Sequence, residues 1–231
     1  MPNFIKGEVL LVDKPLTWTS FDAVNKLKHG LKHSTGVKKV KVGHAGTLDP
    51  LASGLLIVCT GKKTKTIESI QGLKKEYIGI IQLGATTQSY DLETEPENFQ
   101  ETDHLSQEQF YKIAKEMEGE VDQMPPIFSA KKIGGKRAYN LAREGKIPEM
   151  KTKRVEIHSF EIEKIEGAEL HFRIACSKGT YIRSIAHDFG KILGVGGYLK
   201  ALRRTKIGEH NVTNAMSIEE ASAYVDMHSL V

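Results

Sequence analysis

Residues 43–54 read Gly-His-Ala-Gly-Thr-Leu-Asp-Pro-Leu-Ala-Ser-Gly, and the fold and the chemistry of the chain both depend on this segment. It is rich in small residues and turn formers, and it contains one acid, Asp49, and one imidazole, His44. Pro50 disfavours the helical conformation at Asp49 and favours extended backbone there. We therefore expect Asp49 to project from a loop directly before an apolar strand over residues 55–60.

Two interpretations of Asp49 fit this local pattern. A carboxylate on a loop beside a rigid strand is suitably placed for a reactive role. An Asp-Pro pair is also typical of a helix start, with the acid as the N-cap and the proline as the first helical residue. His44 similarly fits either a structural hydrogen-bonding role or an acid–base role. The residues of this segment leave both interpretations open.

Three of the predicted helices are marked by capping residues and apolar spacing. Ser20 is expected to cap the first, with Phe21 on its inward face. A capping box at Ser106 is expected to open the second. Residues 181–193 are expected to form the third, with Ile192 on its inward face.

Short apolar or alternating runs predict the strands. They cover residues 8–12, 55–60, 76–83, 155–165, 169–177 and 204–212. Only a short Glu-Gly turn separates the fourth run from the fifth, which indicates a hairpin. Because strand runs adjoin in sequence and helices intervene irregularly, we expect an α+β fold with a mixed, mostly antiparallel central sheet flanked by helices.

No linker or internal repeat divides the chain, so we expect residues 1–231 to form a single domain. Residues 123–153 look like an excursion from it, with paired prolines, paired glycines and many cations. Cations also concentrate in residues 26–41, whereas residues 91–122 are acidic. The basic clusters fit either phosphate binding or solvated surfaces.

Composition limits the class of protein. The chain is 39% hydrophobic and 27% charged with a net charge of +4, which is ordinary for a globular protein and permits an anionic partner. Cys59 and Cys176 lie in apolar runs, so buried thiols are favoured over a disulfide. No metal-ligand spacing, signal peptide or apolar run of about 18 residues is present. We expect no membrane segment and a cytoplasmic location.

The segment 43–54 closely resembles the signature of the TruB-type tRNA pseudouridine-55 synthases. Other matching segments support the resemblance, which extends from about residue 7 to about residue 210. They are Val12-Asp13-Lys14-Pro15, Lys75-Glu76-Tyr77, Thr86-Thr87-Gln88-Ser89-Tyr90-Asp91, Pro125-Pro126-Ile127-Phe128-Ser129-Ala130-Lys131-Lys132 and Lys178-Gly179-Thr180-Tyr181-Ile182-Arg183-Ser184. Gln88-Ser89-Tyr90 departs from the commonest form of the family's segment.

The resemblance implies a pseudouridine synthase fold and a catalytic trio. Asp49 would be the catalytic aspartate, and Arg183 the cation that holds it and keeps it ionised in a dry pocket. Asp91 would pair with Arg183 in turn. Tyr77 would stack on the target base and help to move a proton.

The resemblance also implies residues that contact the RNA. His44 would pack into the space that opens in the RNA loop when the target uridine is extruded. Tyr181 would line the pocket, and Leu202 would form an apolar wall for the base. The excursion 123–153 would be an RNA-gripping insertion whose cations touch phosphates. Those cations are Lys131, Lys132, Lys136 and Arg137.

The activity implied by the resemblance is conversion of a uridine in the T-loop of tRNA, position 55 of the RNA, to pseudouridine. The glycosidic bond breaks, the base turns, and C5 bonds to C1′ instead. This isomerisation needs no redox cofactor, and we expect none. The implied partner is the T-arm stem-loop of tRNA, with no obligatory protein partner and a monomeric chain. Many family members carry a C-terminal PUA domain, and we expect no full one in this chain.

Three other functions are alternatives to tRNA pseudouridine formation. A pseudouridine synthase for another RNA is disfavoured by the form of the segment 43–54. A non-catalytic RNA-binding or tRNA-folding protein fits the basic clusters equally well, but it has no use for the trio Asp49, Tyr77 and Arg183. A metal hydrolase built on His44 and Asp49 lacks further ligands at suitable spacing.

Overall fold

The computed structural model describes residues 2–37, 40–129, 132–133, 135–138, 141, 144 and 150–228. Two compact units make up the chain: Met1–Tyr77 with Leu202–Val231, called unit 1, and Ile78–Ala201, called unit 2. Two long strands, Lys75–Leu83 and Gly197–Ile207, have residues in both units.

Strands and helices follow one another irregularly along the described residues. The strands are β1 (Val9–Lys14), β2 (Val42–His44), β3 (Ala52–Thr60), β4 (Lys75–Leu83), β5 (Gly119–Gln123), β6 (Lys132–Ile133), β7 (Lys136–Arg137), β8 (Lys153–Glu166), β9 (Glu169–Cys176), β10 (Gly197–Ile207), β11 (His210–Asn211) and β12 (Met216–Ser217). The α-helices are α1 (Ser20–Thr35), α2 (Ile67–Gly72), α3 (Gln107–Glu116), α4 (Ile182–Leu193) and α5 (Ile218–His228).

Unit 1 contains a mixed sheet in the order β12-β1-β3-β10. β1 and β3 are antiparallel, whereas β12 runs parallel to β1 and β10 runs parallel to β3. β2 adds to β3, and β11 adds to β10, both antiparallel. The sheet therefore brings the end of β1, the start of β3 and the middle of β10 side by side.

β3 is buried on both faces, which explains its uninterrupted apolar sequence. Leu56 and Val58 pack in a cluster with residues of α1 and α5. Leu55 and Ile57 pack in a second cluster that includes Ile207. The predicted strand over residues 55–60 is confirmed, and it begins three residues earlier, at Ala52.

The start of α1 differs from the prediction by one residue. Thr19, not Ser20, is the N-cap, and it forms a capping box with Asp22. Since each helical residue advances about 100° around the axis, Phe21 lies about 100° from its buried neighbour Ser20 and off the buried stripe. Phe21 is 67% exposed, so its predicted inward position is wrong, whereas Leu27 and Leu31 are fully buried.

Unit 2 contains the sheet order β10-β4-β9-β8-β5. β8 and β9 form the predicted antiparallel hairpin, and β5 pairs antiparallel with the other edge of β8. The capping box at Ser106 opens α3 as predicted. Mixed sheets with mainly antiparallel pairs and irregularly placed helices confirm the predicted α+β class.

α4 packs on the β8–β9 hairpin through aromatic rings. Phe189 lies 5.7 Å from Phe160, which in turn lies 6.0 Å from Phe172 between ring centroids. Gly194 ends the helix in the left-handed conformation. Ile192, however, is 57% exposed and lines a pocket with Ile185 and Asp188, so its predicted inward position is wrong.

The predicted strand over residues 204–212 is two strands. β10 starts earlier and ends at Ile207, after which Gly208 and Glu209 form a two-residue turn into β11. Gly208 has a φ of 54°, a conformation that suits glycine in such tight hairpin turns.

Among the described residues, no helix is long and apolar enough to cross a bilayer.

Gly54 is required where three strands meet. It pairs with Lys14 of β1 on one side and Arg204 of β10 on the other, and its φ is 104°. A Cβ at this position would overlap the carbonyl oxygen of Arg204. Gly119 has a similar φ, 97°, but a Cβ added there would meet no atom within 4 Å beyond its chain neighbours.

We therefore expect Gly54→Ala to lower the free energy of unfolding by at least about 2 kcal/mol more than Gly119→Ala does. Both variants incur the backbone strain, and only the first incurs the overlap. Urea unfolding of the two variants beside wild type measures the difference. Equal losses would contradict the close approach of β3 and β10 at this residue.

Candidate functional site

Asp49 lies in the connection between β2 and β3, the loop position that the sequence predicted, and it is half-buried. The amide of Ala52 donates to Asp49 O at 3.1 Å, and the amide of Thr17 donates to Pro50 O at 2.8 Å. Strand β3 begins at Ala52, so no helix follows Asp49. This excludes the helix N-cap interpretation and leaves the interpretation as a loop-borne carboxylate.

The residue before Asp49 is fixed by a buried serine. The hydroxyl of Ser20 accepts from the Leu48 amide at 2.8 Å and donates to Leu48 O at 3.1 Å. Both residues are at most 4% exposed. Ser20 therefore anchors the loop to α1 rather than capping that helix.

Arg204 of β10 ties the same loop to the sheet. Its guanidinium donates to Leu55 O at 2.8 Å, to Gly46 O at 3.1 Å and to Thr47 O at 3.4 Å. Arg204 is 1% exposed, so its charge is satisfied by backbone carbonyls of the segment around Asp49. The loop conformation and the position of this cation therefore depend on each other.

Lys14 is a second buried cation beside the loop. Its ammonium donates to Pro15 O at 2.8 Å and to Trp18 O at 2.6 Å. Burial lowers its pKa to about 8, the positive charge of Arg204 acts in the same direction, and the carboxylates of Asp49 and Asp22 oppose the shift. Lys14 is therefore close enough to Asp49 for their opposite charges to interact.

His44 ends β2 and pairs with Val58 of β3. Burial lowers the pKa of its imidazole, Arg204 lowers it further, and a backbone hydrogen bond at Gly46 opposes the shift. Because the pKa falls below its ordinary value of about 6.5, the ring is uncharged at neutral pH. A neutral ring suits a stacking role better than a phosphate-binding role.

The other predicted residues of unit 1 lie on neighbouring strands. Leu202 of β10 is in register with Ala52, three residues after Asp49. Tyr77 is a buried residue of β4, with 9% of its surface exposed. Unit 1 therefore contains four of the predicted site residues: Asp49 on the connection, and His44, Tyr77 and Leu202 on strands.

Unit 2 buries Arg183 at the start of α4. Its Nη1 donates to Phe128 O at 2.9 Å and to Ser89 O at 3.3 Å, and lies 3.6 Å from Asp91 Oδ2. The two side chains of the ion pair are 5% and 7% exposed. The predicted pairing of Asp91 with Arg183 is present.

Asp91 is held by a compact turn. Its Oδ1 accepts from the Glu93 amide at 3.0 Å, and the Ser89 hydroxyl donates to Asp91 O at 3.0 Å. The Thr94 hydroxyl accepts from the Ser89 amide at 3.1 Å, which closes the turn. The acid that pairs with Arg183 therefore has little freedom to move.

Tyr181 is the residue before α4 and is half-buried. Gln123 holds its backbone with both ends of the side-chain amide, accepting from Tyr181 N at 2.8 Å and donating to Tyr181 O at 3.0 Å. The Ser184 hydroxyl donates to Met124 O at 2.7 Å. The end of β5 and the start of α4 are thus joined by side-chain hydrogen bonds.

The predicted RNA-contacting cations lie in the segment 123–153, of which the structure describes only some residues. Lys131 lies outside the described residues. Lys132 pairs with Arg137, and Ile133 with Lys136, in the two-stranded β6–β7 ladder. Only the backbone of these residues is described. Their predicted contacts with phosphates stay a prediction.

Sequence reasoning missed two residues that hold the Asp49 loop, Ser20 and Arg204, and also the buried cation Lys14 beside it. Lys14 was a visible anomaly, a cation at the end of an apolar run directly before a proline. Arg204 stands in a run with Arg203, and nothing in sequence distinguishes the buried arginine from its neighbour, which pairs with Asp13 at 2.6 Å and is partly exposed. Within the described residues, no cluster of three potential metal ligands occurs.

Two family models together match residues 32–229 of the chain. The TruB family pseudouridylate synthase N-terminal domain matches residues 32–182. The tRNA pseudouridylate synthase B C-terminal domain matches residues 183–229.

Curated relatives are similar over nearly their full length. The chain is 54% identical over 217 residues to tRNA pseudouridine synthase B of Flavobacterium johnsoniae, covering 94% of this chain and 95% of the relative. It is 48% identical over 226 residues to tRNA pseudouridine synthase B of Parabacteroides distasonis, covering 98% and 96%.

Solved structures show the same fold in larger proteins. A chain in the crystal structure of a Cbf5-Nop10-Gar1 complex superposes with a TM-score of 0.71 at 28% identity, covering 96% of this chain and 55% of that one. A chain in the archaeal box H/ACA sRNP Nop10-Cbf5 complex gives 0.68 at 25% identity, covering 96% and 54%. This chain spans about half the length of these structural neighbours.

Fold, motif and relatives together define a pseudouridine synthase, a class of isomerase. Within that class, the chain belongs to the TruB family of pseudouridylate synthases.

We expect Ser20→Ala to lower the free energy of unfolding by about 1–3 kcal/mol, because it leaves the buried amide and carbonyl of Leu48 without their hydrogen bonds. Ser69→Ala is the matched control, since the Ser69 hydroxyl donates to Thr66 O at an exposed site. Its expected loss is below about 0.5 kcal/mol. Urea unfolding compares the two variants. A loss from Ser20→Ala no greater than that of the control would contradict the anchoring role.

Asp91→Asn is expected to lower the free energy of unfolding by about 3 kcal/mol, because it weakens the charge balance of a buried guanidinium. Asp122→Asn is the control, since Asp122 pairs with Arg154 at 3.3 Å on the surface. An exposed pair is screened by solvent and contributes little to stability, so the control should lose little. If calorimetric unfolding gave the two variants the same stability, the buried pair would contribute no more to the free energy of unfolding than the exposed pair does.

Proposed function

We propose that this chain converts a uridine of tRNA to pseudouridine. Two of its curated relatives, each matched over at least 94% of this chain, are named tRNA pseudouridine synthase B. The observation that carries the proposal is the half-buried Asp49, presented by a loop to which Ser20 and Arg204 both form hydrogen bonds. A carboxylate positioned in this way suits a reaction in which one acid acts and no second substrate enters.

The target in this proposal is the uridine at position 55 of the RNA, in the T-loop. Its support is the segment 43–54, which resembles the signature of synthases with that target. The base must leave the stacked loop to reach a carboxylate, at a cost of about a few kcal/mol. A half-buried, uncharged His44 ring is suited to fill the vacated stack and recover part of that cost.

The reaction conserves every atom of the nucleotide. The bond from N1 to C1′ breaks, the uracil ring turns, and a bond from C5 to C1′ forms. The C5 hydrogen is then lost as a proton, and N1 gains one. Asp49 acts in the first part, either on the sugar, by attack or proton abstraction, or by adding to the uracil ring. No electrons enter or leave, so the proposal includes no cofactor.

Arg183 is the proposed cation of the reaction, acting with Asp49 and Tyr77. A guanidinium remains charged at all relevant pH values and orients through a fixed fork of donors. Its hydrogen bonds to two backbone carbonyls and its pairing with buried Asp91 support a preset orientation. Preset charges stabilise developing charge without reorganising during the reaction.

The remaining residues of the proposal contact the substrate. Tyr77 stacks on the target base, Tyr181 lines the pocket, and Leu202 is the apolar wall. Phosphate contacts come from the cations of the insertion at residues 123–153, which are Lys131, Lys132, Lys136 and Arg137. The proposed enzyme acts as a monomer in the cytoplasm on the T-arm stem-loop, in a single domain.

The test is release of tritium from a T-arm stem-loop labelled at uridine C5. We expect wild type to release tritium and Asp49→Asn to lower the rate by about 10²–10⁴-fold or more, since it removes the reacting carboxylate. The amide is nearly isosteric, so binding of the stem-loop should change by less than about threefold. Asp103→Asn, at an exposed loop residue, is the matched control with wild-type release.

Three outcomes would contradict parts of the proposal. Tight binding of the stem-loop without release by wild type would favour an RNA-binding or RNA-folding protein. Release from a ribosomal RNA fragment alone would favour another substrate. Equal release by wild type and Asp49→Asn would remove Asp49 from the reaction.

A further inference from the structure

Helix α4 contacts the turn at residues 89–91 with two side chains one helical turn apart. Arg183 reaches Ser89 O at 3.3 Å and Asp91 Oδ2 at 3.6 Å. His187, four residues further on, lies on the same face of the helix. Its ring stacks on Tyr90 with centroids 3.9 Å apart and planes at 12°. Arg183 contacts Ser89 and Asp91, and Tyr90, which lies between them in sequence, is therefore held by His187.

Tyr90 has an unusual backbone conformation. Its φ is 64°, in the left-handed region that bulky side chains rarely adopt. The turn built on this residue presents Ser89 O and the Asp91 carboxylate to the same guanidinium nitrogen. The Leu199 amide donates to Tyr90 O at 2.9 Å and fixes the carbonyl of the strained residue. Such strain persists only where the surroundings over-determine it.

Glycine or asparagine would adopt this conformation with less strain. We therefore infer that the aromatic ring of Tyr90 has a function that compensates for the strain. Burial lowers the pKa of His187, and Lys191 lowers it further. Burial raises the pKa of Tyr90, and Asp188 adds to the shift. At neutral pH both rings are uncharged, and two uncharged flat rings in contact form a rigid, close-packed pair.

We propose that Tyr90 and His187 form a positioning pair whose stacked rings hold the turn that orients the guanidinium of Arg183 for pseudouridine formation. The pair acts through Arg183 and does not touch the reacting atoms. It rests on the proposed function, because that function assigns Arg183 its part in the reaction.

Leucine and phenylalanine variants separate stacking from bulk. His187→Leu and Tyr90→Leu remove the flat ring and are expected to lower kcat for the stem-loop about tenfold, since a misplaced group slows the reaction. KM should stay within about twofold, because the RNA-binding surface is unchanged. His187→Phe and Tyr90→Phe keep a flat ring and should retain kcat within about twofold.

Two further variants address folding and coupling. Tyr90→Gly removes the ring but accepts the left-handed φ without strain, so it should fold at least as stably as Tyr90→Leu and still lose about tenfold in kcat. The double variant Tyr90→Leu/His187→Leu should lose about as much as either single variant, because residues in contact are not additive. Independent residues would give the product, about a hundredfold.

His228→Leu is the matched control. Tyr224 and His228 form another Tyr–His contact, on α5, with centroids 4.4 Å apart and planes at 41°. Neither has a part in the proposed reaction, so kcat should equal that of wild type. Thermal unfolding of every variant verifies that the assay temperature lies below its transition.

Tritium release at saturating and at limiting stem-loop concentrations gives kcat and KM for each variant and so tests the proposal. The proposal stands if the leucine and glycine variants lose kcat at constant KM and the phenylalanine variants do not. Wild-type activity with unchanged kcat in the leucine variants, or equal losses in the leucine and phenylalanine variants, would overturn the positioning pair and leave the proposed function intact. Absence of release by wild type itself would overturn both.

Discussion

The structure of unit 1 depends on two buried cations on either side of one glycine. Lys14, Gly54 and Arg204 are in register across β1, β3 and β10. Two like charges in a buried place are costly unless each is satisfied by hydrogen bonds. The backbone carbonyls that satisfy Arg204 belong to the connection bearing Asp49 and to β3. The cation therefore stabilises one conformation of that connection.

Unit 2 uses the same kind of interaction around Arg183. The guanidinium contacts two backbone carbonyls, Ser89 O and Phe128 O, and one carboxylate, Asp91. A planar cation with several donors in fixed directions orders the turns that supply its acceptors. In both units a buried arginine thus fixes the conformation of a loop through hydrogen bonds to backbone carbonyls. Fixed charges and dipoles of this kind suit a reaction that rearranges bonds within one bound nucleotide.

Sequence by itself determined the features that depend on neighbours along the chain. Pro50 restricts Asp49 directly, so a loop before a strand was predictable. The capping box at Ser106 acts within one turn, and the alternation of β8 and β9 is read residue by residue. The segment 43–54 is contiguous, which is why the family was apparent from it. The predicted pairing of Asp91 with Arg183 came from that resemblance and not from local pattern.

Only the tertiary structure decided which polar residues are buried and what they hold. The acceptors of Arg204 are 149–158 residues away in sequence, so no local pattern distinguishes it from Arg203. Ser20 looked like a helix cap because its partner, Leu48, lies 28 residues further on. Local propensity reports on the residue and its close neighbours, whereas burial of a cation or a hydroxyl depends on segments that meet only when the sheet forms. For that physical reason the motif could be read from sequence, and the hydrogen bonds that hold Asp49 in place could not.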